Sequence, residues 1–465
     1  MCHSPQSDHD AFRILLYRND SAKVLVETID DGLRLPAVVI SRRARVAKEI
    51  TAAIEKRWNV VAYCLFLLPS DTYSQGLVRY QVAELSQTDS KPPAGIRWIP
   101  TESLSAGQFA EAADFEAIQK SRTTLDRYRK GTLPGFFGKP GWLRVVTDWV
   151  GENAAVSGLR LTGKFCQFNS SPTFSLLRFE TNGAALWFKA VGEPNAHEYA
   201  LTLHLAQLFP GRVPHVIASN REWNAWLSVA AEGQHLSNTS PIIEWQNVAS
   251  ALAHLQVASF GNGLHLIDAG CRDVRACSLL ELVGPFFDCM AELMASQTQP
   301  TPPPVTPSEL AVLAEEIRKA LEELGENGIP NLLGHLDCNP ENILTSPERC
   351  VFLDWAEACV GHPFFTFQYL LEHRRRFHGT DASAECSILS AYTTPWQSFV
   401  SSQQIAAAFQ LTPLLAAFTY AASTHQLRTQ TAVWRPETAA FLRSLTRRMK
   451  READTLQQRR LTCVP

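Results

Sequence analysis

No C-x-x-C pair occurs in this 465-residue chain, although it carries eleven cysteines, at positions 2, 64, 166, 271, 277, 289, 338, 350, 359, 386 and 463. An odd, scattered set without metal-ligand spacing suggests neither a zinc cluster nor a disulfide framework. A reduced cytoplasm is the expected home. No apolar run reaches the roughly 18 residues that a membrane-crossing helix needs. The opening MCHSPQSDHD lacks the apolar core of a signal peptide. Neither charge is in excess. A net charge of -3 gives no bulk electrostatic case for nucleic acid or acidic membranes. The C-terminal RRMKREADTLQQRR reads as a basic, solvated helix and not as a nucleic-acid arm. Internal repeats are also missing. What remains is an ordinary globular composition, 45% hydrophobic and 19% charged, long enough for two or three domains.

The most informative stretch is 335–355, HLDCNPENILTSPERCVFLDW. It sets His335 and Asp337 on a turn, Asn342 five residues after that Asp, and Asp354 twelve further on. Ile343 and Leu344 open one short apolar run and Cys350 to Leu353 form another, with the turn-rich TSPER between them. This pattern predicts a β-hairpin with a loop of about five residues. If the hairpin is symmetric about Glu348, Asn342 pairs with Asp354, and directly opposed residues have Cβ atoms roughly 4.5–5.5 Å apart. An amide oxygen and a carboxylate so placed make half of a hard-cation site, which suits magnesium with phosphates completing its shell. Each Asp alone reads as a turn cap or a strand end. The four polar groups together, around an apolar hairpin, point to phosphoryl transfer. Cys338 has no base of its own and reads as a bystander.

HLDCNPENIL resembles the H-G-D-x-x-P-x-N motif of the aminoglycoside phosphotransferase and choline kinase superfamily. VFLDWAEACVGHPFFTFQYLL is similar to the metal-binding segment that follows it. The pattern departs at Leu336, where Gly is usual, and at Glu341, where a small residue is common. The resemblance spans about 140 to 450 and is most specific from 335 to 371. It implies a two-lobed, protein-kinase-like α+β fold with a mainly helical large lobe. In that template the Asp accepts the acceptor's proton, while an Asn five residues on and a second Asp hold the metal ions. His335 braces the loop.

The upstream parts of the template can be placed. CQFNSSPTFSLLRFE reads as a hairpin turning at NSSP, and TNGAALWFKAV as a further strand bearing Lys189, which resembles the lysine that meets the nucleotide phosphates. On residues alone, Lys189 could equally be a solvent-facing strand lysine. Asn195 can cap a helix that Pro210 closes, and Glu198, Leu201, Leu205 and Leu208 share one stripe of it. A carboxylate on such a stripe either pairs with a cation, for which Lys189 is the candidate, or reaches solvent at the edge. The loop 169–174, NSSPTF, has no Gly. Ser170 and Ser171 are candidate phosphate donors or plain turn residues. Leu227 to Ala230 fall where backbone groups would hold adenine.

Residues 1–105 form a small α/β domain with strands at FRILLY, KVLVET, LPAVVI, VVAYCLFLL and LVRYQVAEL and a helix over ARVAKEITAAIEKRW. Their order is similar to a Nudix fold, though a coincidental α/β domain fits as well. A Nudix hydrolase places Arg-Glu-x-x-Glu-Glu on that helix, whereas here the residues are Lys48, Glu49, Ile50, Thr51, Ala52 and Ala53. Alanine offers a hard cation no oxygen, so loss of hydrolysis is expected. A helical linker (106–153), a small lobe (154–232) and a helical large lobe (233–465) follow. TQPTPPPVTPS is a surface loop, and SELAVLAEEIRKALEEL an amphipathic helix with a Ser cap. The expectation is an ATP- or GTP-dependent phosphotransferase whose nucleotide lies between lobes with Mg2+ on Asn342 and Asp354. Its partners are a nucleoside triphosphate and a small-molecule acceptor, with no nucleic acid and no membrane. Two alternatives stay open: a pseudokinase-type nucleotide-binding scaffold, and a regulatory protein whose N-terminal domain senses a ligand.

Overall fold

In the first hundred residues, short apolar-rich segments become β1 (His9–Tyr17), β2 (Lys23–Ile29), β3 (Gly32–Arg34), β4 (Ala37–Ser41), β5 (Ala62–Leu67), β6 (Arg79–Leu85) and β7 (Ile96–Pro100). The computed structural model describes residues 9–18, 22–42, 44–69, 78–86, 95–423 and 436–462, so residues 1–8 of the polar start, Leu77 and Cys463 lie outside the described residues. The sheet order is β3-β2-β1-β6-β5, with β4 paired to β1 and β7 to β2. β1 and β6 are parallel, the other pairs antiparallel. Helix α1 (Val46–Trp58) buries Ala47, Ile50, Ile54 and Trp58 at steps of three and four, and ends on Asn59 in the left-handed region.

By contacts the chain divides into two units, residues 1–199 with 216–230, and residues 200–215 with 231–465. In the first, α2 (Ala112–Arg129) and α3 (Trp142–Val156) fill the stretch read as a linker. They do not tether. Asp114 of α2, fully buried, accepts from the Leu35 N–H at 2.7 Å and the Tyr80 hydroxyl at 3.0 Å. Ile118, Leu125, Trp142 and Val146 share one core with Leu15, Tyr17 and Val82 of the N-terminal sheet and with Leu177, Phe179 and Phe188 further on. Those last residues belong to an antiparallel sheet of β8 (Leu161–Ser171), β9 (Phe174–Thr181), β10 (Leu186–Ala190), β11 (Val216–Asn220) and β12 (Ala225–Val229), ordered β11-β12-β10-β9-β8. The β8–β9 turn is Pro172–Thr173. Asn169 to Ser171, expected in the turn, remain in the strand.

Helix α4 (Glu198–Leu208) starts later than an Asn195 cap implies. The second unit continues with β13 (Gln234–His235), α5 (Ile242–Ala258), α6 (Gly263–Asp268), β14 (Arg272–Val274), α7 (Ala276–Ala295), α8 (Pro307–Glu326), β15 (Leu332–His335), β16 (Ile343–Thr345), β17 (Cys350–Phe352), β18 (Ala358–Gly361), α9 (Phe364–His378), α10 (Ala382–Thr393), α11 (Ser402–Ala422) and α12 (Pro436–Thr462). With the five-stranded sheet before it, this gives the α+β architecture expected. The cap of α8 is Thr306, not Ser308: its hydroxyl accepts from Glu309 N at 3.3 Å while the Glu309 carboxylate accepts from Thr306 N at 2.9 Å. The basic C-terminal helix is not solvated all round, because Leu442, Met449, Ala453 and Leu456 of α12 lie in the core. α11 is long and apolar enough by length and composition to cross a membrane, which the count of uninterrupted apolar residues missed. Its Leu411, Leu414, Leu415 and Phe418 are buried inside the second unit.

Candidate active site

β15 delivers the central residues. Packing fixes its path: a Cβ on Gly334 would meet Cys359 Sγ at 2.7 Å, and Leu336, standing where the family usually has Gly, is buried and donates its N–H to Glu357 O at 3.0 Å. His335 is the last residue of the strand, not part of a turn, and is 1% exposed. The half-buried Asp337 follows. Asn339 Nδ2 donates to its Oδ1 at 2.8 Å, and Asn342 Nδ2 to its Oδ2 at 3.0 Å. Asn342 Nδ2 also reaches the Asp337 carbonyl at 3.0 Å, so the amide oxygen of Asn342 points the other way. Asn339 performs a second task, accepting from Glu341 N at 3.0 Å to cap the short turn that carries Asn342.

The β16–β17 hairpin exists, but its register differs from the symmetric expectation. Ile343 faces Phe352 and Thr345 faces Cys350, with Ser346 N bonded to Arg349 O at 2.9 Å. The loop is one residue shorter than assumed. Asn342 therefore lies opposite Leu353, whose N–H donates to its carbonyl at 2.8 Å, and Asp354 is one position beyond. Asp354 is exposed and adopts φ 59, ψ 69, a left-handed conformation uncommon outside Gly. Such a turn re-aims a side chain at a cost, and strained residues of this kind cluster at functional sites. His335 joins the two Asp segments. Its Nδ1 accepts the Asp337 N–H at 3.2 Å, which leaves Nε2 to donate to the Leu353 carbonyl at 2.9 Å. Its ring packs on Trp355, centroids 4.7 Å apart.

In the first unit, Lys189 Nζ lies 2.5 Å from Glu198 Oε1. Both are shielded, and Lys189 also sits 5.6 Å from the centre of the Trp226 ring. The pair is complete, and neither the solvent-facing lysine nor the solvent-reaching glutamate is found. Ser170 does not behave as a free phosphate donor. Its hydroxyl is directed to the carbonyls of Cys64 at 3.0 Å and Leu65 at 3.3 Å. Ser171 Oγ accepts from Thr173 N at 3.4 Å.

Burial, reinforced by the neighbouring Asp337 charge, pushes the Cys338 thiol up to about 12, so it is no nucleophile at neutral pH. Among the described residues no group of three or more His, Cys, Asp and Glu forms a ready-made metal cage. The donor set at hand is one carboxylate and one amide oxygen. Magnesium, which keeps waters and takes oxygens from phosphates, needs no more from a protein. Asn339, Trp226 and Thr366, whose hydroxyl accepts from His335 N at 2.9 Å, were not singled out from the sequence. Only Asn339, two residues after Asp337, carried a local signal.

The model of the phosphotransferase enzyme family matches residues 193–393. No curated protein matches the chain. Among solved structures, a macrolide 2'-phosphotransferase from Brachybacterium faecium shares 16% identity over 63% of this chain and 96% of its own, with a TM-score of 0.40. The choline kinase of Streptococcus pneumoniae shares 14% over 66% and 99%, at 0.43. An ethanolamine kinase of Plasmodium vivax shares 12% over 71% and 94%, at 0.46. Such values carry no acceptor across. Residues 193–393, and with them the loop of Asp337 and Asn342 and the turn of Asp354, match the model of the phosphotransferase enzyme family.

Proposed function

We propose that the chain moves the γ-phosphate of ATP to a hydroxyl of a small acceptor, with Asp337 as base. The observation that carries this reading is the fixing of Asp337: each carboxylate oxygen takes an amide N–H, from Asn339 and from Asn342. A carboxylate so oriented is a positioned proton acceptor. His335 is a brace, since both ring nitrogens are engaged with backbone and neither is left to move a proton. Lys189, steadied by Glu198, binds nucleotide phosphates as a point charge. Asn342 and Asp354 would hold magnesium, which when bound neutralises phosphate charge. Phosphoryl transfer asks little covalent chemistry of a protein, so orientation and charge supply most of the acceleration.

The N-terminal sheet with α1 is read as a Nudix-like domain without hydrolysis. Ala52 and Ala53 occupy the positions of the two metal-binding glutamates, and Ala52 is exposed on the helix surface. Complete Lys189–Glu198 and Asp337–Asn342 pairs favour turnover over a pseudokinase scaffold.

The test is magnesium-dependent ATP and GTP consumption across a panel of amino alcohols, sugars, nucleosides, aminoglycosides and macrolides. With any acceptor found, Asp337→Asn is expected to keep nucleotide affinity within about threefold and lower turnover by about a hundredfold or more. Near-normal turnover in Asp337→Asn would remove Asp337 from the role of base.

A further inference from the structure

In the first unit two sheet edges are joined by side chains. β5 ends the N-terminal sheet and β8 ends the five-stranded sheet, and each is bulged, β5 between Cys64 and Phe66, β8 between Gln167 and Asn169. A bulge breaks the ladder and re-aims side chains, and an unpaired edge offers backbone groups to whatever can match them. Gln167 matches them. Its Oε1 accepts the Cys64 N–H at 2.7 Å and its Nε2 donates to the Cys64 carbonyl at 3.0 Å. The amide reproduces what a pairing strand would offer, and it is 1% exposed. Asn would be one methylene too short, and Glu could not donate.

Three residues on, Ser170 adds its hydroxyl to the same strand. The first turn of α1, where a Nudix enzyme would begin its catalytic helix, completes the grip. Lys48 Nζ lies 5.3 Å from the centre of the Phe168 ring, and Asn169, with its amide turned to suit its neighbours, accepts from Arg45 Nη1 at 3.0 Å. On the other side Phe137 N donates to Pro172 O at 3.0 Å.

We propose that Gln167 is a positioning residue for the nucleotide. It fastens the 169–174 turn to β5 and makes the N-terminal domain part of the nucleotide site. The inference rests on the phosphotransferase reading, in which that turn faces the phosphates. An unfastened turn would have to be ordered each time nucleotide binds, and that cost appears as lost affinity.

The experiment uses the full chain, with MgATP binding by calorimetry, steady-state kinetics and amide exchange over 168–174. Loss of two buried hydrogen bonds at about one decade of affinity per 1.4 kcal/mol predicts that Gln167→Ala binds MgATP about tenfold more weakly, with kcat at saturating nucleotide within about threefold. Exchange at 168–174 rises. Ile54→Val, in the core that α1 shares with the N-terminal sheet and with no bond to the turn, is the stability control, and its MgATP affinity stays within about twofold. Should Gln167→Ala not fold, the Arg45→Ala/Lys48→Ala double variant replaces it. Both side chains are exposed, and the expected weakening is about threefold. Faster exchange with unchanged affinity would overturn the positioning role and leave the phosphotransferase reading standing. A wild-type chain with protected amides but no nucleotide binding would overturn both.

Discussion

His362, in the turn between β18 and α9, is expected to make the fold acid-sensitive. It is 6% exposed. Its Nδ1 accepts the Phe364 N–H at 3.3 Å, its Nε2 meets no hydrogen-bond partner among the described residues, and its ring packs against Phe364 and Phe365. Burial alone lowers its pKa from 6.5 to about 3. A depressed folded value means the unfolded chain binds the proton more readily. The stability is therefore present above 6.5 and is lost as pH falls from there toward 3. At pH 5 the unfolded imidazole is protonated about thirty to one while the folded one is neutral, so roughly 2 kcal/mol disappears between pH 7.5 and 5. That figure depends only on the unfolded value as long as the folded one stays about a unit below the assay pH. Denaturant titrations at pH 7.5, 6 and 5 on wild type and His362→Asn measure it. Asn keeps an acceptor for the Phe364 N–H and does not titrate. Other groups cancel in the difference, so the wild-type curve should fall relative to the variant by that amount. Parallel curves would show that His362 is either exposed to water or protonated in the fold.

Asp354→Ala is expected to abolish the magnesium dependence of ATP binding, because Asn342 alone offers one neutral oxygen. Calorimetry with and without magnesium checks this, and equal metal dependence in variant and parent would refute it. Lys189→Met strips Glu198, 2% exposed, of its lysine partner and should lower stability by about 3 kcal/mol, most of it recovered in Lys189→Met/Glu198→Gln. A single variant as stable as wild type by urea unfolding would contradict the pairing. Gly192→Ala would place a Cβ 2.5 Å from Thr173 Cβ, and it should lower both thermal stability and ATP affinity. Unchanged values would mean that the turn yields freely.

That His335, Asp337 and Asn342 come together was legible because their signal is local. With Asn339, which was not singled out, they lie within eight positions, and their mutual bonds need only one strand end and one short turn. The hairpin after it was legible as a hairpin but not in register. TSPER fixes that the chain turns, not whether four or five residues do so, and one residue of slip moved the partner of Asn342 from Asp354 to Leu353. The positive φ of Asp354 could not be read, since Asp carries no marker for it as Gly does. Gln167 was invisible for the opposite reason. Its partner is about a hundred residues away, and nothing about a glutamine on a strand says which edge it will meet. The apolar face of α12 was hidden by arginines. Arg448 is itself packed inward, paired with Glu372, and long basic side chains cover apolar surface without declaring it.

The missing glycine of the 169–174 turn has a physical account. A flexible phosphate loop uses glycine for positive φ and for close approach of its backbone. Here no residue from 169 to 174 has positive φ, so the turn needs no glycine for its own path. Close approach is still required, and the glycines that allow it stand on the neighbours. Gly135, at φ 113, lies where a Cβ would meet Pro172 O at 2.4 Å, and Gly192 lies against Thr173. A turn held from both flanks and hooked to β5 by Gln167 and Ser170 has little freedom to close over a ligand. Under the proposed function it would meet nucleotide preformed. On the proposed reading, affinity for nucleotide then depends less on the six residues of the turn than on what grips them, and the grip comes from α1, β5 and the 135–137 segment. On that reading the N-terminal domain would be no vestige: its helix and edge strand hold the turn, and selection on them would act through the nucleotide.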